Sequence, residues 1–181
     1  MLVIILALDL SLNETGYCIL ENCMVLDVDV IKPMKEKEQI DRMRDLRDSI
    51  EQLILDRKIT HIFIEGYSFG SRGIWTFSAG ELGGAIKMMI LDLGLSYVIV
   101  APTMWKKFVV GVGNAKKEQI LLQVYKRYGV EFKNNNMCDA YCIAQFAEKY
   151  IHYKLGTEQP LTTVQVECFK KFDKAKEDED N

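Results

Sequence analysis

Three carboxylates, Asp9, Glu65 and Asp139, stand where carboxylates are unusual, and their settings suit the binding of a divalent cation. Asp9 ends the run Leu2–Leu8, which has no polar side chain. Asp has poor strand propensity and a buried ion is costly, so Asp9 belongs at a sheet end where a cation or a donor can compensate it. Glu65 ends a second apolar run, Ile59–Ile64. Asp139 lies near the start of a helical pattern among Ala140, Cys142, Ile143 and Ala144, small and apolar neighbours that turn it inward. Each has a plainer reading. Asp9 could cap the turn formed by Ser11, Asn13, Thr15 and Gly16, and Asp139, read as lying in a first helical turn, could simply answer the helix dipole. Together they offer the hard oxygen ligands that Mg²⁺ takes, and a pair of such ions can activate water and stabilise the departing 3′-oxygen of a phosphodiester.

Cations are concentrated in one later stretch. Between Lys106 and Arg127 the chain has Lys106, Lys107, Lys116, Lys117, Lys126 and Arg127 against one acid, Glu118. Within it, Gly111 and Gly113 precede a helix beginning near Ala115, a turn whose exposed amides can receive a phosphate. The alternative is an ordinary loop before a solvated helix. The loop Gly66–Gly73, directly after Glu65, carries Tyr67, Ser68, Phe69 and Arg72 and suits substrate contact, or a plain connection.

The elements that must position these groups follow from hydrophobic period. Leu2–Leu8, Ile59–Ile64 and Ser96–Ala101 read as strands buried on both faces, and parallel strands gather ligands beyond their carboxyl ends, which brings Glu65 beside Asp9. Tyr17–Leu20 and Met24–Ile31 extend the sheet as a meander. Asp27 and Asp29 alternate with valines and read as the wet face of an edge strand rather than as ligands. Lys35–Arg57 is a charged helix with an apolar stripe of Ile40, Met43, Leu46, Ile50, Leu53 and Ile54. Ser78–Leu93 is a helix rich in small residues, implying close approach of the sheet or of a second subunit. Met137–Tyr153 is the last well-patterned helix. Beyond Gly156 the period fades, and Lys170–Asn181 reads as a frayed, dispensable charged tail.

Bulk properties narrow the class. At 181 residues, 49% hydrophobic and 27% charged, the chain has room for one full core. Its apolar runs are too short to span a bilayer and its start lacks the features of a signal peptide, so a cytoplasmic setting with no membrane partner is expected. Five cysteines without a CxxC pair indicate neither a zinc site nor a disulfide framework. A net charge of −3 excludes nucleic-acid binding by the whole surface and confines it to a local basic patch.

The order and spacing of Asp9-Leu10-Ser11 with Thr15-Gly16, Ile64-Glu65, the Gly-Val-Gly-x-Ala segment within Lys106–Lys117, and Asp139-Ala140 resemble the RuvC family of Holliday-junction resolvases, its phage-type members included. Asp-x-Ser with Thr-Gly also opens sugar kinases and actin-like ATPases, so the whole set carries the likeness. The resemblance implies an RNase H-like α/β fold over residues 1–155, a five-stranded mixed sheet with helices on both faces, followed by an extension, 156–181. It implies a homodimer that nicks a four-way DNA junction symmetrically, using two Mg²⁺ ions that Mn²⁺ can replace. By residue matching, Asp9, Glu65 and Asp139 would hold metal, while Lys106 and Lys117 would contact the scissile phosphate. Lys107, Lys116, Gly111, Gly113, Tyr67, Ser68, Phe69 and Arg72 would contact DNA. Asn136 occupies the place of a further acid or histidine and would be a neutral ligand, and Ser68 stands where the family uses an aromatic. Those departures keep two alternatives open: a nuclease of broader branched-DNA or RNA:DNA-hybrid specificity, and a non-catalytic junction binder.

Overall fold

The computed structural model describes residues 2–67, 74–157 and 160–179. Five strands, β1 (Ile4–Asp9), β2 (Thr15–Glu21), β3 (Met24–Ile31), β4 (His61–Glu65) and β5 (Tyr97–Val100), form one sheet in the order β3-β2-β1-β4-β5. β1, β4 and β5 are parallel, whereas β2 and β3 run antiparallel as the expected meander, with β3 at the edge. The mixed sheet expected from the sequence is thus present.

Helices cover both faces because the central strands bury both. Along β1, Ile4, Leu6 and Leu8 pack with α1 (Gln39–Arg57) and α2 (Ile74–Asp92), while Ile5 and Ala7 pack toward α5 (Asn135–Lys154). α3 (Pro102–Val110), α4 (Lys117–Tyr128) and α6 (Thr163–Glu179) share the α5 side. None of the helices among the described residues is long and apolar enough to cross a membrane.

Several boundaries shift for identifiable reasons. α1 starts at Gln39 rather than Lys35, because the chain first turns with Lys37 N–H donating to Met34 O at 3.3 Å; Ile40 then falls outside the stripe and is exposed. α5 starts at Asn135, where Asn134 Oδ1 accepts from the backbone N–H of Asn136 and Met137 at 2.8 and 3.1 Å. Asp139 is therefore beyond the first turn, and the helix dipole does not account for it.

The expected frayed tail is corrected. α6 opens with Thr162 N–H donating to Gln165 Oε1 at 2.9 Å, and it buries Cys168, Phe169 and Phe172. Phe169 stacks on Phe108 of α3 at 5.3 Å and meets Phe146 of α5 edge-on at 5.4 Å; Phe172 lies edge-on to Tyr150 at 5.0 Å. The charged residues lie on the opposite side of a helix that clamps α3 to α5. Phe169→Ala is accordingly expected to cost about 3–5 kcal/mol in urea denaturation. A chain ending before Lys170, which loses Phe172, should also melt lower than the full chain; an unchanged melting temperature would return this segment to the status of a tail.

Candidate active site

The parallel register of β1 and β4 aligns Leu8 with Ile64, so the next residues, Asp9 and Glu65, stand side by side at the strand ends. The pleat decides which way they face. Ile5 and Ala7 on β1 and Phe63 on β4 pack toward α5, and period two sends Asp9 and Glu65 to that same side.

The third carboxylate is delivered by the close seating of α5. Gly16 of β2 pairs with Asp9, and a Cβ at Gly16 would overlap the Asn136 carbonyl, so only glycine lets the helix start approach. Asn136 Nδ2 donates to Glu14 O at 2.8 Å, and Asn134 Nδ2 donates to the Glu14 carboxylate, which also pairs with Lys32 at 2.8 Å. Thr15, fully buried, fixes the turn: its hydroxyl donates to Ser11 O at 2.9 Å and accepts from Ser11 N–H at 3.2 Å. These bonds place Asp139, one turn further along, over Asp9.

The electrostatics show how closely the acids meet. Burial, the adjacent Glu65 charge, a hydrogen bond with Glu65 and the Asp139 charge push Asp9 up to about 9, against the attraction of Lys117. Burial and Glu65 push Asp139 up to about 6, opposed by Lys106 and Lys117. Of the residues expected from the sequence, Glu65, Asp139 and Lys117 are thus within electrostatic reach of Asp9, and Glu65, Lys106 and Lys117 within reach of Asp139. Without a cation, burial and the neighbouring acids favour the protonated form of Asp9, which is hydrogen-bonded with Glu65. An all-carboxylate set that must hold a proton to relieve its own repulsion fits a hard divalent cation, which can take the proton's place.

Trp105 was not anticipated. Its indole N–H donates to Glu65 Oε1 at 2.9 Å from a fully buried ring, which fixes that carboxylate, and Lys106 Nζ lies 5.2 Å from the ring centre. The only signal in the sequence was a tryptophan directly before Lys106-Lys107.

The other expected contacts are distributed around this centre. Gly111 (φ 96°) caps α3, its N–H donating to Lys107 O at 2.8 Å, and Gly113 packs so tightly that a Cβ would lie 2.8 Å from Thr103 O. Both glycines therefore have a backbone reason to be there. Lys116 precedes α4 with its N–H donating to Gln119 Oε1 at 2.8 Å; Lys107 lies 3.9 Å from Glu167. Arg127 Nη1 donates to Phe108 O at 3.3 Å, which turns part of the basic stretch to structural use. The Tyr67 hydroxyl donates to Ala79 O at 3.1 Å in the space that Gly83 leaves, with Lys87 Nζ 5.2 Å from its ring centre. At Gly83 the close approach is therefore a side chain, not a second backbone. Ser68, Phe69 and Arg72 lie outside the described residues.

A pH dependence follows. Both carboxyls are raised above their ordinary value of 3.8, so their contribution to metal-free stability is full below about pH 4. It is lost as pH rises through about 6 for Asp139 and about 9 for Asp9. Metal-free Asp9→Asn should therefore gain stability over the unsubstituted chain as pH climbs from 5 to 9, measured by thermal melts in chelator. A difference that stays constant or shrinks with pH would contradict the crowding of these acids.

Comparison with known proteins gives the family. The family model described as crossover junction endodeoxyribonuclease RuvC matches residues 5–146, the span that holds all three carboxylates. The RuvC of Chloroherpeton thalassium is 28% identical over 132 residues, 71% of this chain and 71% of that protein. Thermus thermophilus RuvC, solved in complex with a Holliday junction substrate, superposes with a TM-score of 0.70 at 18% identity over 88% of this chain and 99% of that one. The yeast mitochondrial Holliday junction resolvase Ydc2 gives a TM-score of 0.58 at 16% identity, over 77% and 75% of the two chains. The sheet, its strand order and the span of the match agree: the chain belongs to the RuvC family of crossover junction endodeoxyribonucleases.

Proposed function

We propose that this chain is a divalent-metal-dependent endonuclease that resolves four-way DNA junctions by paired, symmetric nicks, acting in the cytoplasm as a homodimer. The observation that carries the reading is the convergence of Asp9, Glu65 and Asp139 at one sheet end, with Lys106 and Lys117 close enough to counter their charge. A protein that only bound DNA would gain nothing from crowded acids, which repel the phosphates. Membership of the RuvC family adds the substrate class.

When bound, two Mg²⁺ ions, or Mn²⁺ in their place, supply an activated water and stabilise the departing 3′-oxygen. The residues supply the rest. Asp9, Glu65 and Asp139 would hold the cations, and the Trp105 indole N–H fixes the Glu65 carboxylate among them. Asn136 contributes at most a neutral Oδ1, because its Nδ2 is committed to Glu14. Lys106 and Lys117 would counter the negative charge that grows on the scissile phosphate. Lys107, Lys116, the Gly111–Gly113 turn and Tyr67 would contact the DNA backbone on either side, and Ser68, Phe69 and Arg72 are proposed as contacts from their place in the sequence alone.

The dimer reading rests on α2. Phe77, Gly80, Gly84, Met88 and Leu91 fall within an arc of about 80° on this helix. Phe77, Met88 and Leu91 are 76%, 67% and 57% exposed, and a Cβ on Gly80 or Gly84 would meet nothing within 4 Å. An exposed apolar stripe with two open glycines suits the same stripe of a second copy, and a two-fold axis gives two sites for two symmetric cuts.

Glu65→Gln should abolish Mg²⁺-dependent nicking of a synthetic four-way junction while keeping junction binding. Lys117→Ala should slow cleavage at saturating Mg²⁺ more than it weakens binding. Absence of Mg²⁺-dependent nicking by the unsubstituted chain would end the nuclease reading, nicking that survives Glu65→Gln would remove Glu65 from the site, and equal cleavage of flaps and RNA:DNA hybrids would favour the broader specificity. Met88→Glu should yield monomers in sedimentation and convert paired cuts into single nicks; a dimer that persists would place the interface elsewhere.

A further inference from the structure

A second cluster of metal-binding side chains lies at the opposite end of the sheet from Asp9. The turn joining β2 to β3 holds Asn22 and Cys23 in left-handed backbone (φ 46° and 71°), with Asn22 N–H donating to Val3 O at 3.3 Å beside the start of β1. This turn projects the Cys23 thiol onto α5, where Glu148 and His152 stand one helical turn apart on the same face. Glu148 lies nine residues beyond Asp139, about 14 Å along the helix, so this cluster is separate from the carboxylates described above.

Its geometry is tight. Cys23 Sγ lies 2.9 Å from Glu148 Oε1 and 3.9 Å from His152 Nε2, and Nε2 lies 3.4 Å from Oε1. The three donor atoms fall within 4.8 Å of one another, close to the ligand separations of a tetrahedral ion with bonds of about 2.0–2.3 Å. Glu148 is only 4% exposed, a carboxylate that burial keeps only with partners.

The imidazole is aimed by a second contact. Thr157 Oγ1 donates its single proton to His152 O at 3.0 Å, so at 2.7 Å from His152 Nδ1 it accepts an N–H. In neutral imidazole this leaves the lone pair on Nε2, the nitrogen that faces Cys23 and Glu148. A cavity of about 360 Å³, lined by Val3, Ile5, Ile151 and Leu155 as well as the cluster, adjoins the three groups and has room for a water as fourth ligand.

We propose that Cys23, Glu148 and His152 bind one borderline divalent transition-metal ion of the Zn²⁺ class. The donor set decides the class: thiolate and imidazole exclude Mg²⁺, and thiolate plus carboxylate balance a 2+ charge. Binding forms the metal–sulfur bond as the thiol proton leaves to solvent. The ion ties the β2–β3 turn to the C-terminal half of α5, at the far end of the helix whose start carries Asp139. The absence of a CxxC pair in the sequence gave no hint of it, because the ligands come from a hairpin turn and one helix face.

The test uses the full chain with excess Mg²⁺ present to fill the carboxylate site. One equivalent of Co²⁺ should produce thiolate-to-cobalt charge-transfer absorption in the near ultraviolet, and Cys23→Ser should abolish it. Thr157→Val should weaken Zn²⁺ affinity about 10–100-fold in competition with a chromogenic chelator, the usual loss when a metal-bound histidine loses its outer partner. Absence of the band in the unsubstituted chain would overturn the proposal, as would a band that persists in Cys23→Ser or Zn²⁺ binding that is lost in Asp139→Asn but kept in Cys23→Ser.

Discussion

Mutual repulsion of carboxylates is the constraint around which this structure is arranged. Asp9, Glu65 and Asp139 would separate if the backbone let them, and the upward push that burial and the neighbouring acids give Asp9 and Asp139 reflects how little room they have. What opposes the separation is rigid. Two parallel strands fix Asp9 beside Glu65 through the Leu8–Ile64 register, and a helix seated on Gly16 fixes Asp139 above them. A fold that stabilises itself elsewhere can hold a site that is unfavourable until a cation enters.

The supporting contacts fall outside the reacting groups. Trp105 anchors Glu65 from within α3, and α3 is in turn clamped by α6 through Phe108, Phe169 and Phe146. The aromatic cluster thus reaches the proposed catalytic Lys106 by one covalent step, since Lys106 adjoins Trp105. On the other side, Asn134, Asn136 and Glu14 bind the start of α5 to the β1–β2 turn. Removing any of these contacts would loosen a carboxylate without touching it.

How much the sequence disclosed varied with the kind of signal. The central strands were legible because burial on both faces leaves unbroken apolar runs, and their terminal acids stood out against them. β3 was recovered to the residue because Asp27 and Asp29 alternate with valines along an exposed edge. α6 was missed because Cys168, Phe169 and Phe172 are diluted by lysines and acids that face water, so the charge outweighed the period. The glycines of the 111–113 turn invited a phosphate reading, although a left-handed cap and a close carbonyl already require them. Trp105 and the Cys23 cluster depend on contacts distant in sequence, which no local spacing displays.

The central claim is that the three carboxylates share divalent cations. Anomalous diffraction from crystals of the full chain soaked in Mn²⁺ tests it most directly. The account requires anomalous density enclosed by the Asp9, Glu65 and Asp139 side chains. Manganese ordered elsewhere, with that space holding none, would contradict it.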